Sequence, residues 1–154
     1  MPEWDLHSNN KDMDVTKLPF NQFIGLKLSD RSEYLLLLEN RPEYRNHLDT
    51  VHAGAQFALA EATSGYFLLN EFSELTDIVP VVRRVETKYK KPATGAVYSK
   101  AKFQETGKTE ILEVLNQTNR ALLKVEVSLF DDSDVLIMQS VFEWFIAKSG
   151  QSNS

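Results

Sequence analysis

The stretch from Gly54 to Asn70, GAQFALAEATSGYFLLN, constrains this chain more than any other. It is rich in Ala and Leu and contains no proline, so it reads as the one long helix. Apolar residues occur almost all round it: Ala55, Phe57, Leu59, Ala62, Phe67, Leu68 and Leu69. A helix that is apolar on every side is fully buried, so the rest of the chain must wrap it. Glu61 stands in its middle, a carboxylate where burial is costly unless the charge is paired or used.

The wrapping material reads as strands. Tyr34 to Glu39, YLLLLE, is a short apolar run between the turn-like segments SDRS and NRPEYRN, as a buried strand would be. Before it, VTKLPFNQFIG from Val15 to Gly25 reads as a brief helix or turn leading into a strand. Val81 to Lys91 alternates with period two. Val81, Arg83, Val85, Thr87 and Tyr89 fall on one face, and Val82, Arg84, Glu86, Lys88 and Lys90 on the other. The turn Lys91-Pro92-Ala93-Thr94-Gly95 ends it, and Ala96 to Gln104 follows as a strand. Glu110 to Thr118 carries apolar residues at helical spacing. Two long strands close the chain, with Ala121, Leu123, Val125, Val127 and Leu129 inward on the first. The turn between them spans Phe130 to Val135, and the last strand runs from Leu136 to Ile146. Four to six strands joined mostly by hairpins, around one buried helix, make an α+β class with an antiparallel sheet.

The 154 residues suit a single domain over 15–147, with polar tails at 1–14 and 148–154. A net charge of −5 gives no general attraction to nucleic acid. No cysteine is present, which excludes disulfides, thiolate metal sites and Cys nucleophiles. The polar N-terminus is no signal peptide, and no apolar run approaches the roughly 20 residues that span a bilayer. These features lead us to expect a cytoplasmic protein without membrane or nucleic-acid partners. His7, His47 and His52 lack metal-ligand spacing, so no metal is expected.

Chemistry concentrates in Asn46-His47-Leu48-Asp49-Thr50-Val51-His52-Ala53-Gly54, which runs into the buried helix and on to Glu61. The Ala53 and Gly54 amides are helix-start donors with positive dipole charge, able to hold an anion or a polarised carbonyl oxygen. Small residues there let a ligand approach the backbone. Two readings of Glu61 stay open. It is either a functional carboxylate or a structural one facing a polar seam.

Asn46, five residues, His52-Ala53-Gly54, four residues and Leu59-Ala60-Glu61 resemble the signature of hotdog-fold thioesterases. The branch in question holds phenylacetate-degradation and small acyl-CoA thioesterases. Its pattern is Asn, then His-Gly-Gly, four residues, then Leu-Ala-Asp. The order of elements over about residues 20–147 agrees. The resemblance implies a hotdog fold in which Glu61 is general base or nucleophile and the Ala53 amide polarises the thioester carbonyl. By the same likeness Asn46 positions the carbonyl or the attacking water, His52 supports the helix start with Gly54, and Ser64 supports the carboxylate. Ala53 replaces the family's first glycine, and Glu61 its aspartate.

Ala53 and Glu61 are eight residues apart, roughly 12 Å along one helix at ~1.5 Å per residue. One thioester carbonyl must lie within about 3–3.5 Å of both its polarising amide and its base. Two antiparallel helices about a two-fold axis meet that demand, as in the family's dimers. A homodimer is therefore expected, with a dimer of dimers as a further assembly open to it. Arg83, Arg84, Lys88, Lys90 and Lys91 form a basic excess. It reads either as a solvated strand face or as a seat for coenzyme A phosphates, with Lys90 and Lys91 preferred. The expected activity is acyl-CoA thioester hydrolysis, with coenzyme A entering only as part of the substrate. The alternatives are a hotdog protein that binds an acyl or aryl ligand without turnover, and a hotdog dehydratase acting on 3-hydroxyacyl thioesters.

Overall fold

The computed structural model describes residues 13–149, so most of both expected tails, and His7 with them, lie outside the described residues. A short 3₁₀ turn, Val15–Lys17, is capped by Asp14 and leads into helix α1, Pro19–Ile24. Gly25 ends α1 at φ 84°, where a Cβ would collide with Arg41 and the Tyr44 hydroxyl. Strands β1 (Lys27–Leu28) and β2 (Leu36–Leu38) follow, then a 3₁₀ turn at Pro42–Tyr44 and the long helix α2, Ala53–Glu71. The chain continues as β3 (Ile78–Tyr89), β4 (Val97–Gln104), α3 (Lys108–Thr118), β5 (Arg120–Asp131) and β6 (Leu136–Lys148).

The six strands form one antiparallel sheet in the order β1-β2-β4-β5-β6-β3. Its inner face closes on α2. The expected inward residues of β5 are all buried, and β6 opposes them with Met138, Ser140, Phe142, Trp144 and Ile146. On the helix Leu59, Ala60, Ala62 and Leu68 are buried against that face. The Thr63 hydroxyl donates to Ser99 Oγ at 2.7 Å, tying α2 to β4 by a satisfied polar contact. No helix among the described residues is long and apolar enough to cross a membrane.

Three expectations need correction. The strand read over Tyr34 to Glu39 is regular only over Leu36–Leu38, paired with β1 on one side and β4 on the other; Tyr34 instead stacks on Tyr98 and Phe130 on the outer face. The second correction concerns α2, which is not buried all round. Ala53, Gly54 and Phe57 are exposed while Glu61 and Gly65 are half-buried, one open row at i, i+4 spacing. The sheet stops at β3 and leaves that row uncovered.

Third, β3 carries a bulge between Val82 and Arg84 that breaks its alternation. Val82 opposes Trp144, Val85 opposes Phe142 and Thr87 opposes Ser140, so these face inward. Val81, paired with Phe145, and Arg84, paired with Glu143, lie on the outer face. Arg83 has no cross-strand partner at all and is exposed.

Candidate active site

The helix start is built by the loop before it. Asn46 Oδ1 accepts from the Leu48 and Thr50 amides, both at 3.0 Å, and its Nδ2 donates to Thr50 Oγ1 at 2.9 Å. Its carboxamide therefore shapes the loop that leads into the helix. Next, the His52 amide donates to Tyr44 O, which fixes where the helix begins.

His52 is the N-cap of α2, its Nδ1 accepting from the Gly54 amide at 2.8 Å. The support expected from His52 is thus a specific bond. It also removes Gly54 from the expected pair of free donors. The Ala53 amide meets no acceptor among the described residues and remains open, exposed at the positive end of the helix. Because Nδ1 holds its lone pair toward Gly54, the neutral ring carries its proton on Nε2.

Glu61 lies two turns further along the same open row. No hydrogen bond or ion pair among the described residues reaches its carboxylate, so it faces no polar seam within the chain. Burial alone pushes its carboxyl above the ordinary carboxylate value. Ser64 does not support it. The Ser64 hydroxyl donates at 2.8 Å to the backbone carbonyl of Glu61, a bond within the helix.

Along the row, Phe57 packs on Phe142 with ring centroids 5.9 Å apart, and Gly65 sits against the Trp144 ring. The inward residues of β3, Val82, Val85 and Thr87, are only half-buried beside this row. Glu61 therefore lies on an open helix row that also carries the exposed apolar ring of Phe57. Two residues packed against the helix escaped the sequence reading. The Tyr89 hydroxyl donates to Ala53 O at 3.1 Å, binding the end of β3 to the helix start. Its inward place in the period-two pattern was the available signal. Trp144 is 6 % exposed and its Nε1–H is buried without an acceptor among the described residues, which nothing in the local sequence announces.

The basic group does not act as one patch. Arg84 and Lys88 lie on the sheet face away from α2, in a polar cleft of about 420 Å³ with Glu86, Glu126, Glu143 and Lys124. They are separated from Glu61 by the sheet. Lys90 and Lys91 stand exposed at the turn after β3, their amides both donating to Ile137 O. Tyr89 places that turn near the start of α2. No group of three or more His, Asp or Glu residues among the described residues is placed to hold a metal.

A helix enclosed by a curved antiparallel sheet, with its sequence-marked start turned to an open edge, is the hotdog fold. The chain belongs to the family described as "Domain of unknown function (DUF4442)", which matches residues 22–146. No curated protein sequence matches it. Among solved structures it is similar to a Pseudomonas aeruginosa protein described as of unknown function and a probable thioesterase. That pair shares 20 % identity over 87 % of this chain and 91 % of the other, at a TM-score of 0.73. A thioesterase from Haemophilus influenzae aligns over 91 % and 90 % of the two chains at 12 % identity and a TM-score of 0.68. A Bacillus halodurans protein solved with CoA aligns over 72 % and 69 % at 19 % identity and a TM-score of 0.58.

Proposed function

We propose that this protein is a thioester hydrolase that cleaves acyl-CoA at a site shared between two protomers. One observation carries the reading: Glu61, half-buried and unpaired, lies on the same open helix row as the free amide of Ala53. An unpartnered carboxylate in an apolar helix is destabilising, so its retention calls for a use. Glu61 serves either as base toward water or as nucleophile through an anhydride. The Ala53 amide takes the developing oxyanion.

The two groups are about 12 Å apart along α2, so the amide comes from the helix of a second copy. The open row of α2 and the twelve-residue free edge of β3 supply the surface for that copy. Lys90 and Lys91 are assigned to the coenzyme A phosphates because both are exposed at the turn that Tyr89 ties to the start of α2. The dehydratase alternative needs an imidazole base, and the His52 Nδ1 lone pair is already spent on Gly54.

The test is release of free CoA from short, long and aromatic acyl-CoAs by the native chain and by Glu61→Gln. Turnover by the native chain that the substitution removes is the expected result. Binding of acyl-CoA with no CoA release by either protein would make it a ligand-binding protein instead.

A further inference from the structure

Resting on the thioesterase reading, we propose that Gln56 is a positioning residue that aims the Ala53 amide at the substrate oxygen. Gln56 is a polar side chain sealed inside the fold, only 5 % exposed. It is the fourth residue of α2, a place that commonly packs an apolar side chain against the residue before the cap. Here that pair is Gln56 and Val51, and a hydrogen bond replaces the apolar contact. The Gln56 Nε2 donates to the Val51 carbonyl at 3.1 Å. The Gln56 Oε1 is buried with no partner among the described residues, which costs free energy. A methionine of the same length would avoid that cost, so the carboxamide calls for a use.

The use lies in what Gln56 holds. Its backbone amide donates to the His52 carbonyl at 3.1 Å, while its side chain holds the carbonyl of Val51. The two peptide units that flank His52 are thus tied to one residue. Their relative rotation is the φ and ψ of His52, −59° and 138°. The Ala53 N–H belongs to the second of these units. A trans peptide is planar, so this N–H points opposite to the His52 carbonyl, out of the helix end. The first unit is gripped from its other side as well, since the His52 amide donates to Tyr44 O at 2.7 Å. Without the Gln56 donor the Val51 carbonyl is released, and the cap gains freedom to turn about His52.

Gln56 acts through this geometry and not by touching substrate, because its side-chain oxygen is closed off from solvent. Binding of the whole acyl-CoA depends little on the direction of one N–H. The developing oxyanion depends on it strongly, since a preorganised donor is worth most where charge appears. A misaimed Ala53 amide therefore slows turnover and leaves substrate affinity nearly as it was.

The experiment is Gln56→Met, which keeps the length and the packing and removes the donor. With an acyl-CoA that the native chain cleaves, kcat should fall by about ten- to a hundredfold, the scale of a small misplacement in a catalytic site. KM should stay within about twofold, as for an interaction made only in the transition state. The melting temperature should hold or rise, because an unpartnered oxygen has gone. Activity lost in step with stability, or a variant that no longer folds, would make Gln56 structural and overturns the inference. An unchanged kcat in a folded variant overturns it too, as does a rise in KM at constant kcat. A second readout needs no turnover. In the isotope-labelled chain the Ala53 amide should show a heteronuclear NOE close to that of mid-helix amides, and Gln56→Met should lower it. If the native chain cleaves no thioester yet this NOE falls, the hydrolase reading fails and the hold of Gln56 on the Ala53 amide stands. If the NOE does not change, the inference fails whatever the turnover.

Discussion

The Tyr89 hydroxyl donates a hydrogen bond of 3.1 Å to the carbonyl of Ala53, joining the last residue of the edge strand to the first residue of the central helix. Burial holds the Tyr89 phenol above its ordinary value, so it remains a donor throughout the neutral range. Tyr89→Phe is expected to cost about 0.5–1.5 kcal/mol of stability. It should lower kcat/KM more than that loss explains, because the Ala53 amide loses its fixed position. Melting and steady-state kinetics on one preparation check both; unchanged kinetics would confine this bond to stability.

Glu61→Gln keeps size and hydrogen bonding but removes the charge. Turnover should fall by about 10²–10⁴, the usual worth of general acid–base catalysis. A drop in melting temperature with specific activity retained would make Glu61 structural.

The pH dependence of stability follows from the same carboxyl. Its folded pKa is raised above the ordinary 4.5 by burial, so ionising it disfavours the native state. That contribution is favourable at low pH and is lost as pH rises through the folded pKa. The Gln variant should therefore gain stability over the parent as pH rises from 4 to 7, and should match it below 4. The rising limb of kcat/KM should lie above the usual carboxylate range for the same reason. Parallel melting curves at all pH values would contradict the burial of this charge.

His52→Ala removes the acceptor for the Gly54 amide and should cost about 1 kcal/mol, the common value for an N-cap. His52→Asn, which restores a capping oxygen, should recover most of it. If His52→Asn is as unstable as His52→Ala while both lose all activity, His52 acts in the chemistry and not in the cap.

Charge reversal at Lys90 and Lys91 should raise KM for acyl-CoA roughly three- to tenfold with kcat little changed, since contacts remote from the carbonyl act as uniform binding. Raised salt should mimic it by screening. A KM indifferent to both would return these lysines to a solvated turn.

Light scattering at micromolar concentration should give a particle of two chains, as a site divided between helices requires. Full activity in a monomer would refute the shared site.

The helix was legible in the sequence because seventeen residues without proline leave no other regular structure open to them, and its buried content demanded a sheet around it. The hairpin strands were legible for the same local reason, apolar alternation between turn residues. Asn46, His52, Ala53 and Glu61 could be singled out because spacing along one loop and helix is a local property. Which partner each side chain takes was not legible, even where that partner is near in sequence. That Asn46 spends its carboxamide on Thr50, and Ser64 its hydroxyl on a helix carbonyl, depends on rotamers that only packing fixes. That Val82 faces inward and Val81 outward depends on one bulge, which offsets the residues on its two sides by a face and leaves no mark in a period-two reading. Which row of α2 stays open was decided by where the sheet ends, since an edge exists only once six strands have found their order. Sequence thus set the helix, the strands and the residues able to do chemistry. Tertiary structure decided which remain free to do it, because a hydrogen-bonding group is available only when no neighbour brought in by the fold has already taken it.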